Sequence, residues 1–287
     1  MSAWIKKHTL WLYFLLAYAF TWGGSAVHLA LSGDGNAAGV SRLAQIPAAL
    51  LVLFGPALAA MAAAGIEQGW RGLGHLLRPL LAWKVGWGWW ALVLAYPLVH
   101  HLAVAGIGWA LGGPAPRFFY NPTLPQGSVL LALVVAIGAN LVRGLGEEIG
   151  WRGYALPRLQ DGADAKHPRG APGASLILGI VWALWHWHPA NMNILGWRLI
   201  WHFLAVLSVT FLYTWLYNHT RGSLLVVVVF HMWQDVAEYI VPLGVYEGRA
   251  SGLVISAAVN WIVAVIVAIG WIRQTSGSIC ALDKKTL

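Results

Sequence analysis

From Gly144 to Tyr154 the sequence reads GLGEEIGWRGY, which places two adjacent carboxylates and an arginine between long apolar stretches. Charged residues make up 10% of the 287 positions and hydrophobic residues 59%, with a mean hydropathy of +0.66. Soluble domains are less apolar than this, so the composition indicates an integral membrane protein. Charges grouped between apolar segments of such a chain indicate a functional site, and we interpret this stretch as part of an active site.

Apolar runs close to the length that crosses a hydrocarbon core recur on both sides of this stretch. Gly, Pro and charged residues separate them, with the longest gap at residues 152–173. We predict an all-α, polytopic membrane fold with about eight transmembrane helices, forming one domain over residues 1–287. The predicted spans are 9–31, 44–66, 86–111, 128–146, 174–189, 199–217, 224–241 and 253–272.

The basic residues orient this predicted topology. Fourteen Lys and Arg residues fall on the side of the two termini and four on the other, so the positive-inside rule predicts cytoplasmic termini. The net charge of +8 does not indicate nucleic-acid binding, because the basic residues are scattered singly rather than clustered. The lone cysteine, Cys280, does not indicate a redox compartment. Abundant Ala, Gly and Trp with few Lys favour a bacterial inner membrane, and the oligomeric state is left open.

The fourth predicted span runs into the charged stretch without a strong helix stop. If the helix continues, Glu148 and Arg152 lie four residues apart on one face and can pair. Glu147 then points about 100° away and stays free for chemistry. The alternative is a solvated helix end at the cytoplasmic surface, where adjacent acidic residues are common.

The fifth and seventh spans carry ionisable residues at depth. His186 lies roughly 18 Å from the start of the fifth span, and His188 is nearer the far surface. His231 and Asp235 share one face of the seventh span, where such groups are costly unless they face a partner or water. The alternative for a membrane histidine is a helix-to-helix hydrogen bond, our interpretation of His100, His101 and His202. Glu238 is interpreted as a solvated helix end.

These residues form three motifs: Glu147-Glu148-x-x-x-Arg152, Trp182-x-x-x-His186 and His231-x-x-x-Asp235. In this order and in these helices they resemble the CAAX-protease and bacteriocin-processing family, also called the abortive-infection family of intramembrane endopeptidases. That family has Glu-Glu-x-x-x-Arg, an aromatic-x-x-x-His and His-x-x-x-Asn or Asp, and Trp182 stands where Phe is usual. The resemblance covers residues 128–241.

The resemblance implies roles for these positions. Glu147 would be the catalytic base, activating water together with His186. Glu148 would pair with Arg152 and support the site, while His231 and Asp235 would stabilise the oxyanion of the scissile carbonyl. Because an ionised Asp only accepts hydrogen bonds, Asp235 must be protonated or must instead orient His231.

No cofactor or metal is expected. A zinc site built from Glu147, His186 and His231 is the alternative, although the sequence lacks the His-Glu-x-x-His pair typical of zinc proteases. A straight fourth helix from Ser128 places Glu147 about 28 Å from the outer face, near the cytoplasmic rim. We therefore expect tilted helices around a water-filled cavity that faces the cytoplasm and admits an extended peptide.

The function that the resemblance implies is cleavage of a membrane-associated protein or peptide, with isoprenylated C-terminal peptides as the best-known substrates of the family. The sequence does not identify the natural substrate. The alternative is a non-catalytic membrane protein for immunity, binding or transport, in which the buried Glu, His and Asp form a structural network. The two halves show no convincing internal repeat, which argues against a transporter.

Overall fold

The computed structural model describes residues 8–32, 42–119, 128–161, 170–189, 196–246 and 251–283, and these contain helices but no strand. Two short turns separate α-helices along the chain, a 3₁₀ turn at Arg78–Leu81 and a π-helical turn at Trp151–Ala155. In chain order the α-helices are α1 (Thr9–Ser32), α2 (Arg42–Gln68), α3 (Trp70–Leu77), α4 (Trp87–Ala110), α5 (Val129–Gly150), α6 (Leu156–Asp161), α7 (Gly170–Trp185), α8 (Trp197–His219), α9 (Leu224–Ile240) and α10 (Gly252–Asp283).

The predicted all-α polytopic membrane fold is confirmed. Within the described ranges a helix occurs at each of the eight predicted places, and six segments are long and apolar enough to cross a membrane. Helices α7 and α9, with 16 and 17 residues, are shorter than these six segments. The total of eight membrane crossings therefore stays a prediction. The six long segments are Thr9–Ser32, Gln45–Gln68, Trp87–Ala110, Val129–Asp161, Trp197–His219 and Gly252–Trp271.

The fourth span was predicted to end near residue 146, with a continuation of the helix left open, and in the structure the helix does continue through the π-helical turn to Asp161. Glu147 therefore lies in the middle of a long helical segment and not at its rim. Glycine explains why this segment packs so closely on α2. A Cβ atom at Gly146 would lie 2.2 Å from the carbonyl oxygen of Leu53, and one at Gly150 would lie 2.6 Å from that of Pro56.

Helix direction defines two sides of the bundle. We call the side on which α1 begins the N-terminal side. There the Thr9 hydroxyl donates to Glu67 Oε1 over 2.5 Å, and Tyr154 donates to the same oxygen over 2.7 Å. Arg158 adds an ion pair to Glu67. The beginning of α1, the end of α2 and the turn after α5 are therefore tied together on this side.

Candidate active site

A cavity of about 690 Å³ lies between helices α1, α2, α5, α7, α8 and α9. Its lining includes all four residues for which the sequence predicts a catalytic role: Glu147, His186, His231 and Asp235. They come from three separate helical segments, so the fold brings the three motifs together around one cavity. The other lining residues are His28, Ala49, Val52, Leu53, Arg143, Trp185, His188 and His202.

Glu147 presents its carboxylate to this cavity from the middle of the α5 segment. The residue is 5% exposed, and the Trp182 indole N–H donates to its Oε2 over 2.8 Å. Trp182 is thus a hydrogen-bond donor to the Glu147 carboxylate as well as the aromatic residue of the second motif. This hydrogen bond fixes the orientation of the Glu147 carboxylate at the cavity wall.

Glu148 lies behind the cavity wall and is fully buried. Its Oε1 accepts from Arg152 Nη1 over 3.0 Å, which is the contact that the i, i+4 spacing predicts. The same oxygen lies 2.7 Å from His231 Nδ1, a contact that the sequence did not reveal. A carboxylate only accepts, so Nδ1 donates to it and His231 turns Nε2 towards the cavity.

The Arg152 guanidinium is held between two aromatic rings. Its central carbon lies 4.1 Å from the ring centroid of Trp182 and 4.3 Å from that of Tyr213. Such cation–π stacking compensates part of the cost of burying a charge. Glu148, Arg152 and His231 therefore form a closed network, in which Trp182 joins the network to Glu147.

His186 follows the last residue of α7, because that helix ends at Trp185 and not at residue 189 as predicted. Its Nδ1 lies 2.8 Å from the Trp182 carbonyl oxygen, which can only accept. Nδ1 therefore carries the hydrogen, and in the neutral ring Nε2 carries the lone pair. This tautomer suits the predicted role of His186, to accept a hydrogen bond from water.

Asp235 is paired with an arginine that the sequence analysis placed elsewhere. Arg143 Nη1 lies 3.4 Å from Asp235 Oδ2, and His231 Nε2 lies 4.0 Å from the same oxygen. Arg143 was counted among the cytoplasmic charges, whereas it lines the cavity one helical turn before Glu147. In this ion pair Asp235 accepts from Arg143, which favours an ionised Asp235, while His231 is oriented by Glu148.

Other residues of the cavity were missed or misjudged from the sequence. His202 was assigned to helix packing, but it lines the cavity with its ring centroid 5.3 Å from that of His186. His188 Nδ1 lies 3.0 Å from the Ser25 hydroxyl, which connects the residues after α7 to α1. No local pattern marks these partners, whereas the i, i+4 spacing of Arg143 and Glu147 on one helix was a usable signal.

The remaining polar residues, His100, His101 and Glu238, lie on α4 and α9. His100 lies 3.4 Å from the Ser256 hydroxyl, so it links α4 to α10 as a helix-to-helix contact. His101 lies 3.4 Å from Glu238, and the Glu238 side chain is 47% exposed. Glu238 also accepts from the backbone N–H groups of Leu243 and Gly244, so it caps the end of α9 rather than being merely solvated.

A metal site would need at least three suitable ligands at one point. Across the described ranges, no three His, Cys, Asp or Glu side chains are grouped closely enough to hold a metal ion. The alternative zinc set of Glu147, His186 and His231 is therefore not assembled as ligands, although all three residues line the cavity.

The cavity lies in the half of the bundle away from the N-terminal side. His28 is near the end of α1, Ala49 is near the beginning of α2, and His202 is near the beginning of α8. All three positions are at helix ends opposite to Thr9. Cytoplasmic termini and a cytoplasm-facing cavity both stay predictions, and the position of these three lining residues away from Thr9 favours opposite orientations of the bundle for the two.

Comparison with known proteins places the three motifs in one family segment. Residues 125–237 match the family model described as type II CAAX prenyl endopeptidase Rce1-like. A curated relative, CAAX prenyl protease 2 of Methanococcus maripaludis, is 33% identical over 95 residues, which are 30% of this chain. We call residues 125–237, which are similar to this family, the Rce1-like segment. The aligned part covers 32% of the curated relative, so the chain matches about a third of that protein's length.

The Rce1-like segment contains every residue of the closed network and every predicted catalytic residue. Glu147 and Glu148 lie towards its beginning, His186 lies near its middle, and His231 and Asp235 lie close to its end. Helices α1 and α2 fall outside the segment, yet His28, Ala49, Val52 and Leu53 contribute to the cavity wall. The Rce1-like segment therefore carries the ionisable groups, while the preceding helices close one side of the space around them.

Proposed function

We propose that this Rce1-like protein is an intramembrane endopeptidase that hydrolyses a peptide bond near the C-terminus of a membrane-associated protein or peptide. The observation that carries the proposal is the convergence of Glu147, His186 and His231 on one cavity inside the bundle. Intramembrane ionisable groups are costly, and their placement around a cavity is typical of a functional site. The family segment provides independent support, because all three residues lie within it.

The geometry supports activation of water by two side chains. The Trp182 indole holds Glu147 Oε2 at the cavity wall, and the Trp182 carbonyl oxygen holds His186 Nδ1. In the proposed step Glu147 takes one proton from water as the water oxygen bonds to the scissile carbonyl carbon. Glu147 then returns the proton to the leaving amide nitrogen as the C–N bond breaks, which is general base followed by general acid catalysis.

His231 is the proposed donor to the oxyanion. Its Nδ1 is held by Glu148, so the ring orientation is fixed before substrate arrives. In the imidazolium form, which Glu148 and Asp235 flank, Nε2 also carries a hydrogen and can donate to the developing negative charge. A donor that is oriented in advance stabilises a transition state better than one that must reorganise.

Substrate size and class follow from the cavity. A volume of about 690 Å³ lies within the range of small-ligand pockets and accommodates a few residues of an extended peptide, not a folded domain. The name of the relative, CAAX prenyl protease 2, refers to prenyl substrates, so a C-terminal prenylated peptide is the first substrate class to test. The prenyl group would remain in the surrounding bilayer.

We propose that substrate reaches the cavity from the non-cytoplasmic half of the membrane. Arg143 and Arg152 lie inside the bundle, but removing them from the basic residues of the terminal side leaves the charge asymmetry in place. Cytoplasmic termini then direct the cavity outwards. The test is maleimide labelling of Ala49→Cys in a Cys280→Ser background. In intact cells this cysteine should react with an impermeant maleimide, and substrate peptide should slow the reaction. Labelling that occurs only after permeabilisation would show the opposite orientation.

The experiment for the activity uses purified protein in liposomes with a farnesylated, internally quenched peptide and an unprenylated peptide of the same sequence. Wild type should cleave the farnesylated probe, and chelator should leave the rate unchanged. Loss of cleavage with chelator would contradict hydrolysis by the side chains alone. No cleavage of either probe would favour the alternative, a non-catalytic immunity, binding or transport protein with a structural polar network.

A further inference from the structure

The third motif of this chain ends in Asp235, where a hydrogen-bond donor would be useful. The Asp235 carboxylate accepts a hydrogen bond from Arg143. A carboxylate has no N–H group, so it offers no donor to a substrate oxygen. An asparagine at this position would offer its amide N–H₂ group. The question raised by the structure is which group of the cavity takes the place of that missing donor.

Arg143 is suitably placed for this role. It lies four residues before Glu147, so both side chains emerge from the same face of the α5 segment about 6 Å apart along the helix axis. Its side chain is 55% exposed and lines the cavity, while Nη1 alone contacts Asp235. The guanidinium has five N–H groups in a rigid fork, so one contact to Asp235 leaves others directed towards the cavity.

The position of Asp235 also brings two donors together. Its Oδ2 lies 3.4 Å from Arg143 Nη1 and 4.0 Å from His231 Nε2. A negatively charged oxygen is therefore already accommodated between an arginine and a histidine at this wall of the cavity. Asp235 holds the Arg143 fork next to His231 in the way that a positioning carboxylate holds a charged donor.

We propose that Arg143, positioned by Asp235, donates a hydrogen bond to the carbonyl oxygen of the scissile peptide and so completes the oxyanion site with His231. This inference rests on the proposed endopeptidase function. In this account the Arg143–Asp235 pair performs the function that one asparagine amide performs alone. Arg143 is then a catalytic residue that touches the reacting oxygen, and Asp235 is a positioning residue.

The competing interpretation is that Arg143 only neutralises Asp235. Two double variants with the same net charge separate the two interpretations. Arg143→Met combined with Asp235→Asn replaces the pair by a neutral side chain and an amide donor. Arg143→Met combined with Asp235→Leu replaces it by two apolar side chains of similar size and no donor.

The measurement is kcat and KM on the farnesylated quenched peptide in liposomes. Arg143→Met alone should lower kcat by about 100-fold, the usual effect of losing one oxyanion donor, with KM little changed. The variant with Asn should recover to within about tenfold of wild type, and the variant with Leu should stay as slow as Arg143→Met. Circular dichroism and elution volume should match wild type for all of them.

The results that overturn the inference are distinct. Equal recovery in both double variants would show that Arg143 only balances a charge, and no recovery in either would show that an amide does not replace the pair. Unchanged kcat in Arg143→Met would remove Arg143 from the reaction while leaving the endopeptidase function intact. Absence of cleavage by wild type would defeat the proposed function and this inference with it.

Discussion

Two ion pairs of the same chemical type occupy different environments in this molecule. Glu148 and Arg152 have fully buried side chains 3.0 Å apart, with the guanidinium stacked between aromatic rings. Arg143 and Asp235 lie 3.4 Å apart with side chains 55% and 33% exposed at the cavity. The first pair is closed to substrate and holds His231, whereas the second is open to it. Their environments therefore predict different consequences for the same mutations.

The closed pair should show the largest effect. Arg152→Met leaves Glu148 as an uncompensated buried charge, which costs about 3–5 kcal/mol of stability. It also frees Glu148 from one of its two donors, so His231 loses its fixed orientation and cleavage should be lost. Thermal unfolding followed by circular dichroism in detergent, together with the peptide assay, measures both effects.

A double variant sharpens this prediction. Glu148→Leu with Arg152→Met replaces the buried pair by apolar side chains and should recover most of the stability. It should not recover cleavage, because the acceptor for His231 Nδ1 is missing. Recovery of cleavage in this variant would contradict the assigned role of Glu148.

Packing of the α5 segment gives the next largest effect. Gly146→Ala forces a Cβ atom against the Leu53 carbonyl oxygen, so it should destabilise the protein by about 1–3 kcal/mol. Gly138→Ala on the same helix is the matched control, because nothing lies within 4 Å of its added Cβ. The control should be neutral or stabilising by up to about 1 kcal/mol, and equal effects of both variants would argue against the close α2–α5 contact.

The open pair should contribute least to stability. Arg143→Met removes a partly exposed ion pair, which is worth about 0–1 kcal/mol. The melting temperature should therefore change little while kcat falls. Aggregation or a large loss of melting temperature would place Arg143 in the structural framework, together with Arg152, and would remove the contrast between the two pairs.

Local patterns in the sequence were sufficient for much of the fold. Long apolar runs predicted a helix at all eight places, and the i, i+4 spacing predicted the Glu148–Arg152 contact. The continuation of the helix beyond Gly146 was left open, because glycine lowers helix propensity locally while close packing on α2 requires it. Helix length alone could not reveal that tertiary requirement.

The sequence was sufficient to predict which residues form the candidate site but not which of them contact one another. Motif spacing brought Glu147, His186, His231 and Asp235 into one hypothesis, and all four line the cavity. The contact of His231 with Glu148 joins residues 83 positions apart, and that of Arg143 with Asp235 joins residues 92 apart. Such contacts depend on how helices are arranged, so one sequence does not specify them. The catalytic roles themselves stay predictions.

The central claim is that Glu147 is the base of a peptidase, and one comparison tests it most directly. Glu147→Gln and Glu238→Gln make the same isosteric change, the first in this cavity and the second outside it. With the farnesylated quenched peptide in liposomes, the account predicts that Glu147→Gln lowers kcat by about 10²–10⁴-fold while Glu238→Gln stays near wild type. Cleavage by Glu147→Gln at the wild-type rate would contradict the account.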